Sequence, residues 1–149
     1  MRKLERMIKA ERDNCSCDSG CRKCTVRATR LKRYCISEIP TCYWNLPFST
    51  FTGNDRVKDS IRKVIKNIDA FYDRGMSINF VGGLGTGKTS LACSILKNAI
   101  VKDYSAHYTD MKTIANKLSF SSSEFAEYIT KINEVDFLVI DEVDGRWVL

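Results

Sequence analysis

Apolar residues return at helical spacing between positions 55 and 72. There Val57, Ile61, Val64, Ile65, Ile68 and Phe71 mark one stripe of a helix, and Gly75 marks its stop. A shorter stripe of Leu4, Met7 and Ile8 predicts a charged helix over 1–14 that ends near Asn14, and the basic run 25–36 predicts a second helix. Three short runs lack helical spacing. They predict strands at 78–81, 105–109 and 135–140, the last apolar apart from Asp136. Helices are predicted between and after them, at 88–101, 110–118 and 123–132, with Ser122 or Ser123 as N-cap of the last. Strands and helices therefore alternate from residue 78 onward. Strands this apolar belong in a parallel sheet with helices on both faces, so the predicted class is α/β. Pro40 and Pro47 punctuate an irregular connector, which divides the chain into a segment 1–45 and a larger domain 46–149.

Between the first predicted strand and its helix lie Gly82, Gly83, Leu84, Gly85, Thr86, Gly87, Lys88 and Thr89, which fit the phosphate-binding P-loop pattern G-x-x-x-x-G-K-[ST]. Glycines let the backbone approach an anion closely, and N–H groups at a helix start, through Ser90, form a concave anion site. Lys88 is expected to reach the β- and γ-phosphates of ATP, and the Thr89 hydroxyl to ligate Mg²⁺. The last strand ends in Asp141 and Glu142, 53 residues after Lys88. A carboxylate at that sheet edge would hold the ion through Asp141, with Glu142 as general base toward water, the Walker B arrangement.

Charge and cysteine content change the picture at the N-terminus. The net charge of +6 is uneven: residues 1–35 carry 11 Lys and Arg against 4 Asp and Glu, so the whole basic excess lies there. Such an arm suits phosphate backbones or an acidic protein surface, and equally a solvated helical face. No apolar run approaches the length of a membrane span, and the N-terminus lacks the apolar core of a secretory signal. The expected location is the cytosol, without membrane association. There, seven cysteines suit metal ligation or free thiols better than disulfides. Cys15, Cys17, Cys21 and Cys24 place four thiols within ten residues, with Gly20 available for a turn. Zinc, reduced thiols and an iron–sulfur centre are the three readings, and Cys35 and Cys42 are substitute ligands. Zinc held by four thiolates would make the arm less basic than its count. Cys93 reads as core, and His107 as structural. Tyr43, Trp44, Phe48 and Phe51 read as packing between connector and domain, or as a stacking surface for nucleic acid or adenine. Lys112 and Lys117 read as solvated surface.

The stretch from about 44 to 144 resembles the DnaC/IstB branch of AAA+ ATPases, the helicase loaders and transposition helpers. The resemblance rests on Pro40, Phe48 and Phe51 of the connector, the run FVGGLGTGKTSLACSI, Tyr108 to Met111, and FLVIDEVD. It implies a partial P-loop NTPase sheet of AAA+ type behind a cysteine-rich segment. It also implies a replicative helicase and single-stranded DNA as partners, an N-terminal helicase-binding region, and homo-oligomers as an option for a full-length form. Sheets of this branch run in the order 5-1-4-3-2, which separates the P-loop strand from the Walker B strand. The separating strand, sensor, arginine finger and lid are expected beyond Leu149, so the sequence reads as a truncated chain in which ATP binding weakens and hydrolysis suffers. A DnaC-type loader is the leading reading, and the resemblance implies the cytoplasm of a bacterial cell or phage-infected host. The alternatives are an IstB-like transposition helper acting on double-stranded DNA, and a non-hydrolysing, metal-bearing binding module.

Overall fold

A computed structural model of the protein describes residues 2–13, 15–17, 21–119 and 122–143. The helix end expected at Asn14, the turn expected at Gly20 and the chain from Asp144 onward lie outside those residues. Helix α1 (Arg2–Asp13) packs on α2 (Arg22–Ile36), and its Leu4, Met7 and Ile8 meet the main core as their spacing predicts. Leu31 and Tyr34 of α2 are buried in that same core. The connector then forms two short 3₁₀ turns, Thr41–Tyr43 and Phe48–Thr50. Between them Trp44 is buried, and its indole N–H donates to the Ile39 carbonyl at 2.7 Å. Trp44 is therefore a packing residue, unable to offer its face to a base.

The single helix expected over 55–72 is two. Helix α3 (Asp55–Lys66) starts at Asn54, whose side chain accepts from the Arg56 N–H, and α4 (Ile68–Asp73) follows a break at Asn67. The apolar stripe runs through the break because Ile61 and Ile68 face one core while the backbone at Asn67 leaves helical geometry. Gly75 ends the segment at φ +58, with its N–H donating to the Tyr72 carbonyl.

Helix α5 (Lys88–Val101) is the centre of the molecule. Leu91 through Lys97, together with Ala99 and Ile100, are buried, so it is covered on nearly every side. Replacing Leu96 by Ala would cost about 2–5 kcal/mol through the cavity it leaves. Strand β1 (Ala106–Asp110) leads through its capping Asp110 into α6 (Met111–Leu118), then α7 (Ser122–Asn133) and β2 (Phe137–Asp141). The strands pair in parallel, with Ala106 opposite Phe137 and Asp110 opposite Asp141. One face of the pair lies on α5. On the other, Thr109 and the Tyr128 hydroxyl of α7 are 2.6 Å apart, while Leu138 and Ile140 are exposed.

The strand expected at 78–81 does not form. Ile78 and Phe80 pack on the core, Val81 is exposed, and no described strand pairs with the segment. An apolar run supplies the side chains of a strand, but only a neighbouring backbone supplies its ladder. The α2 exit meets the sheet directly, since the Tyr108 N–H donates to the Ser37 carbonyl at 2.8 Å.

Candidate functional site

Segment 78–81 delivers the glycine loop to the start of α5. Gly85 and Gly87 sit at φ +72 and +85, where a side chain is strained. At Gly87 there is also no room, because a Cβ would lie 2.7 Å from the ring of Phe51. The connector thus forms one wall of the loop. Lys88 folds back over the loop, its Nζ donating to the carbonyls of Gly82 and Gly83, each at 2.8 Å. Thr86 also donates to the Gly83 carbonyl, at 2.9 Å. Leu84 projects into solvent, and Ser90 lies half-buried in the first turn, its carbonyl accepting from Ser94.

The two ends of the site meet at Asp141. Its Oδ2 accepts from the Thr89 hydroxyl at 2.6 Å and from the Tyr108 hydroxyl at 3.0 Å, and its Oδ1 accepts from the Glu142 N–H at 2.8 Å. Burial works against the charge on Asp141, yet the Thr89, Glu142 and Tyr108 bonds and the nearby Lys88 bring its carboxyl below the usual range. Burial and the hydrogen bond to Asp141 push the Tyr108 phenol well up, so it stays a donor. Glu142 stands at φ +53 with an exposed side chain, a left-handed conformation that holds strain in a non-glycine residue. Tyr43 lies beside Thr89: burial raises its phenol, while a hydrogen bond with Thr89 acts the other way.

Tyr108 is the site residue that the sequence reading missed, and Tyr43, read there as packing or stacking, was given no place at Thr89. Period-two alternation was the available signal for Tyr108, since it places Tyr108 and Asp110 on one face of a strand. Tyr43 had no such signal, because nothing in an irregular connector fixes which way a ring points.

At the other end of the chain, the structure brings the four N-terminal thiols together. The Sγ atoms of Cys15 and Cys21 are 3.7 Å apart, those of Cys17 and Cys24 3.6 Å, and those of Cys21 and Cys24 3.7 Å. All four lie within 4.8 Å of one another. A tetrahedron with metal–sulfur arms of about 2.3 Å has edges of about 3.8 Å, so this set can hold a metal ion. The Cys17 thiol is brought down to about 6, first by a backbone hydrogen bond from Cys21 and then by the adjoining thiols. The Cys24 thiol is pushed up to about 12 by its bonds with Cys15 and Cys17. Cys35 and Cys42 are exposed and lie outside the cluster, so they are not its substitute ligands. Cys93 is core, and burial pushes its thiol up to about 12.

The glycine loop at the head of a buried helix, joined to an aspartate at a strand end, defines a P-loop ATP-binding protein. A family model described as IstB-like ATP binding protein matches residues 41–146, most of the chain. The chain belongs to that family, and ATP binding with Mg²⁺ accords with it. No curated protein and no solved structure matches the chain. Among the described residues, no helix is long and apolar enough to cross a membrane.

Proposed function

We propose that this protein is an ATP-binding helper of DNA replication of the helicase-loader type. The observation that carries the ATP site is the 2.6 Å bond between Thr89 and Asp141, which closes the loop onto the strand end across 52 residues. In this reading Gly82, Gly83, Leu84, Gly85, Thr86, Gly87 and Ser90 offer backbone groups around the phosphates, and Lys88 exchanges its two loop carbonyls for phosphate oxygens. Thr89 and Asp141 are the Mg²⁺ ligands, and Glu142 is the base toward water. Bound Mg²⁺ neutralises phosphate charge. Cys15, Cys17, Cys21 and Cys24 hold Zn²⁺, which acts as a redox-inert cross-link between the end of α1 and the start of α2. The basic helices so joined engage a replicative helicase, and the protein works on single-stranded DNA in the cytoplasm.

A second reading, a transposition helper on double-stranded DNA, draws support from the description of the matching family. The two separate when the purified chain is mixed, with and without ATP, with a replicative helicase and with single- or double-stranded DNA. The loader reading expects helicase retention that ATP alters. Retention of double-stranded DNA without helicase supports the second reading, and loss of both partners sinks the two together.

A further inference from the structure

The four N-terminal thiols are neighbours in pairs. Cys17 and Cys24 stand 3.6 Å apart and Cys15 and Cys21 3.7 Å, sulfur to sulfur, so two pairs take in the whole cluster. A disulfide needs a separation of about 2.0 Å, which side-chain rotation can reach from there. Cys21 and Cys24 are also 3.7 Å apart. Joining them, however, would leave Cys15 to pair with Cys17 across the single residue Ser16, in a small ring that departs from relaxed disulfide geometry. Access differs within the cluster as well. Cys15, Cys17 and Cys21 are half-buried, whereas Cys24 is 4% exposed, so a solute reaches Cys17 before its partner. Zn²⁺ has no redox chemistry of its own, but thiolate ligands keep theirs.

We propose that the cluster is a site of reversible oxidation by hydroperoxides, which turns a metal-closed junction into one closed by the disulfides Cys15–Cys21 and Cys17–Cys24. The inference takes its resting state from the zinc reading above. The Cys17 thiolate attacks one peroxide oxygen, the O–O bond breaks, and hydroxide leaves with the electron pair, giving a sulfenic acid. The Cys24 thiolate then attacks that sulfur, forms the S–S bond and expels a second hydroxide. Cys15 and Cys21 react with a second peroxide in the same way. Each disulfide costs its two thiolates two electrons, which reduce one peroxide to two hydroxides. No thiolate is then left to hold the ion. Cys15 and Cys17 lie just past α1, and Cys21 and Cys24 cap and begin α2, so both disulfides keep the helices tied after the ion has gone. The negative charge of the metal–thiolate group is lost in the change, which makes the basic arm more positive under oxidation. A thiol reductant reverses it by exchange.

The test uses the full chain carrying Cys35→Ser and Cys42→Ser, which removes two exposed thiols outside the cluster. Metal analysis of the purified protein comes first and bears on the zinc reading alone. Hydrogen peroxide is then added in steps, with released ion followed by a chromogenic chelator and disulfides mapped by mass spectrometry. About two equivalents of peroxide should take bound metal from one ion per chain to none, and a thiol reductant with added zinc should restore it. A Cys15→Ser, Cys21→Ser protein should still form Cys17–Cys24, about tenfold faster than a Cys15→Ser, Cys24→Ser protein joins Cys17 to Cys21. Fragmentation of the linked peptides of the four-thiol protein gives the same answer where a double variant does not fold. A metal-free protein that forms the same two disulfides removes the zinc reading and supports the oxidation site. A protein that keeps its metal and its free thiols under peroxide overturns the site and leaves the zinc reading standing. Cys21–Cys24 as the product, or a sulfinic acid that no thiol reverses, overturns it as well.

Discussion

The glycine loop offers its binding groups from the backbone, whereas the cysteine cluster offers them from four side chains that the chain must carry to one point. The loop needs a particular path of φ and ψ, and eight consecutive residues specify it. The cluster needs the end of α1 and the start of α2 to converge, and its sulfurs meet at 3.6–3.7 Å only once those helices have packed. Damage should therefore follow different rules: the loop is sensitive to an added atom, the cluster to a lost one.

The largest effect is expected at the cluster. On the zinc reading, Cys24→Ser removes one of four ligands, and a quarter of a structural zinc affinity corresponds to about a hundredfold or more in metal binding. Metal analysis should fall from one ion per chain toward none, while ATP affinity stays the same. A Cys24→Ser protein that keeps a full complement of metal would break the comparison. Next comes the loop. Gly87→Ala places a methyl 2.7 Å from the Phe51 ring at a left-handed φ, and should cost about tenfold or more in ATP affinity by calorimetry. Gly87→Ala combined with Phe51→Ala should recover part of that loss, because only the collision is relieved.

Tyr108→Phe deletes one of three donors to Asp141 and should raise the Mg²⁺ needed for half-maximal ATP binding about fivefold. An unchanged Mg²⁺ titration would remove Tyr108 from the site. The smallest effect concerns a buried residue of β1. His107 is buried, its Nε2 without a hydrogen bond among the described residues, and burial lowers it from its ordinary 6.5, opposed by Glu38 and reinforced by Lys131. The folded protein keeps it neutral, so stability is full above pH 6.5 and is lost as the unfolded chain gains protons below it. The melting temperature should drop roughly a few degrees from pH 7.5 to 5.5, and His107→Gln should flatten that drop.

What could be read in advance follows the same division. The loop, α5, the paired strands and the aspartate at the end of β2 are encoded in contiguous residues. Local pattern was therefore enough to place them near their observed positions. Closure of the cluster was not legible, because spacing alone cannot say whether Cys15 and Cys24 turn toward each other. Segment 78–81 was misread for the opposite reason: its apolar character is local, but a strand is defined by a partner. The break at Asn67 was hidden because the stripe from Val57 to Phe71 continues across it. The place of Tyr43 beside Thr89 was hidden because its neighbours are irregular.

The bond from the Tyr108 N–H to the Ser37 carbonyl gives the sheet a direction of growth. Residues 106, 108 and 110 turn their backbone groups away from β2, so the chain leaving α2 blocks that flank. Any further strand, from whatever source, must add beside β2, where the backbone groups of Leu138 and Ile140 point away from β1. A protein shortened past Ser37 would lose this stop along with the four-cysteine cluster. It would then present two sticky margins in place of one, and polymerise edge to edge more readily than the intact chain.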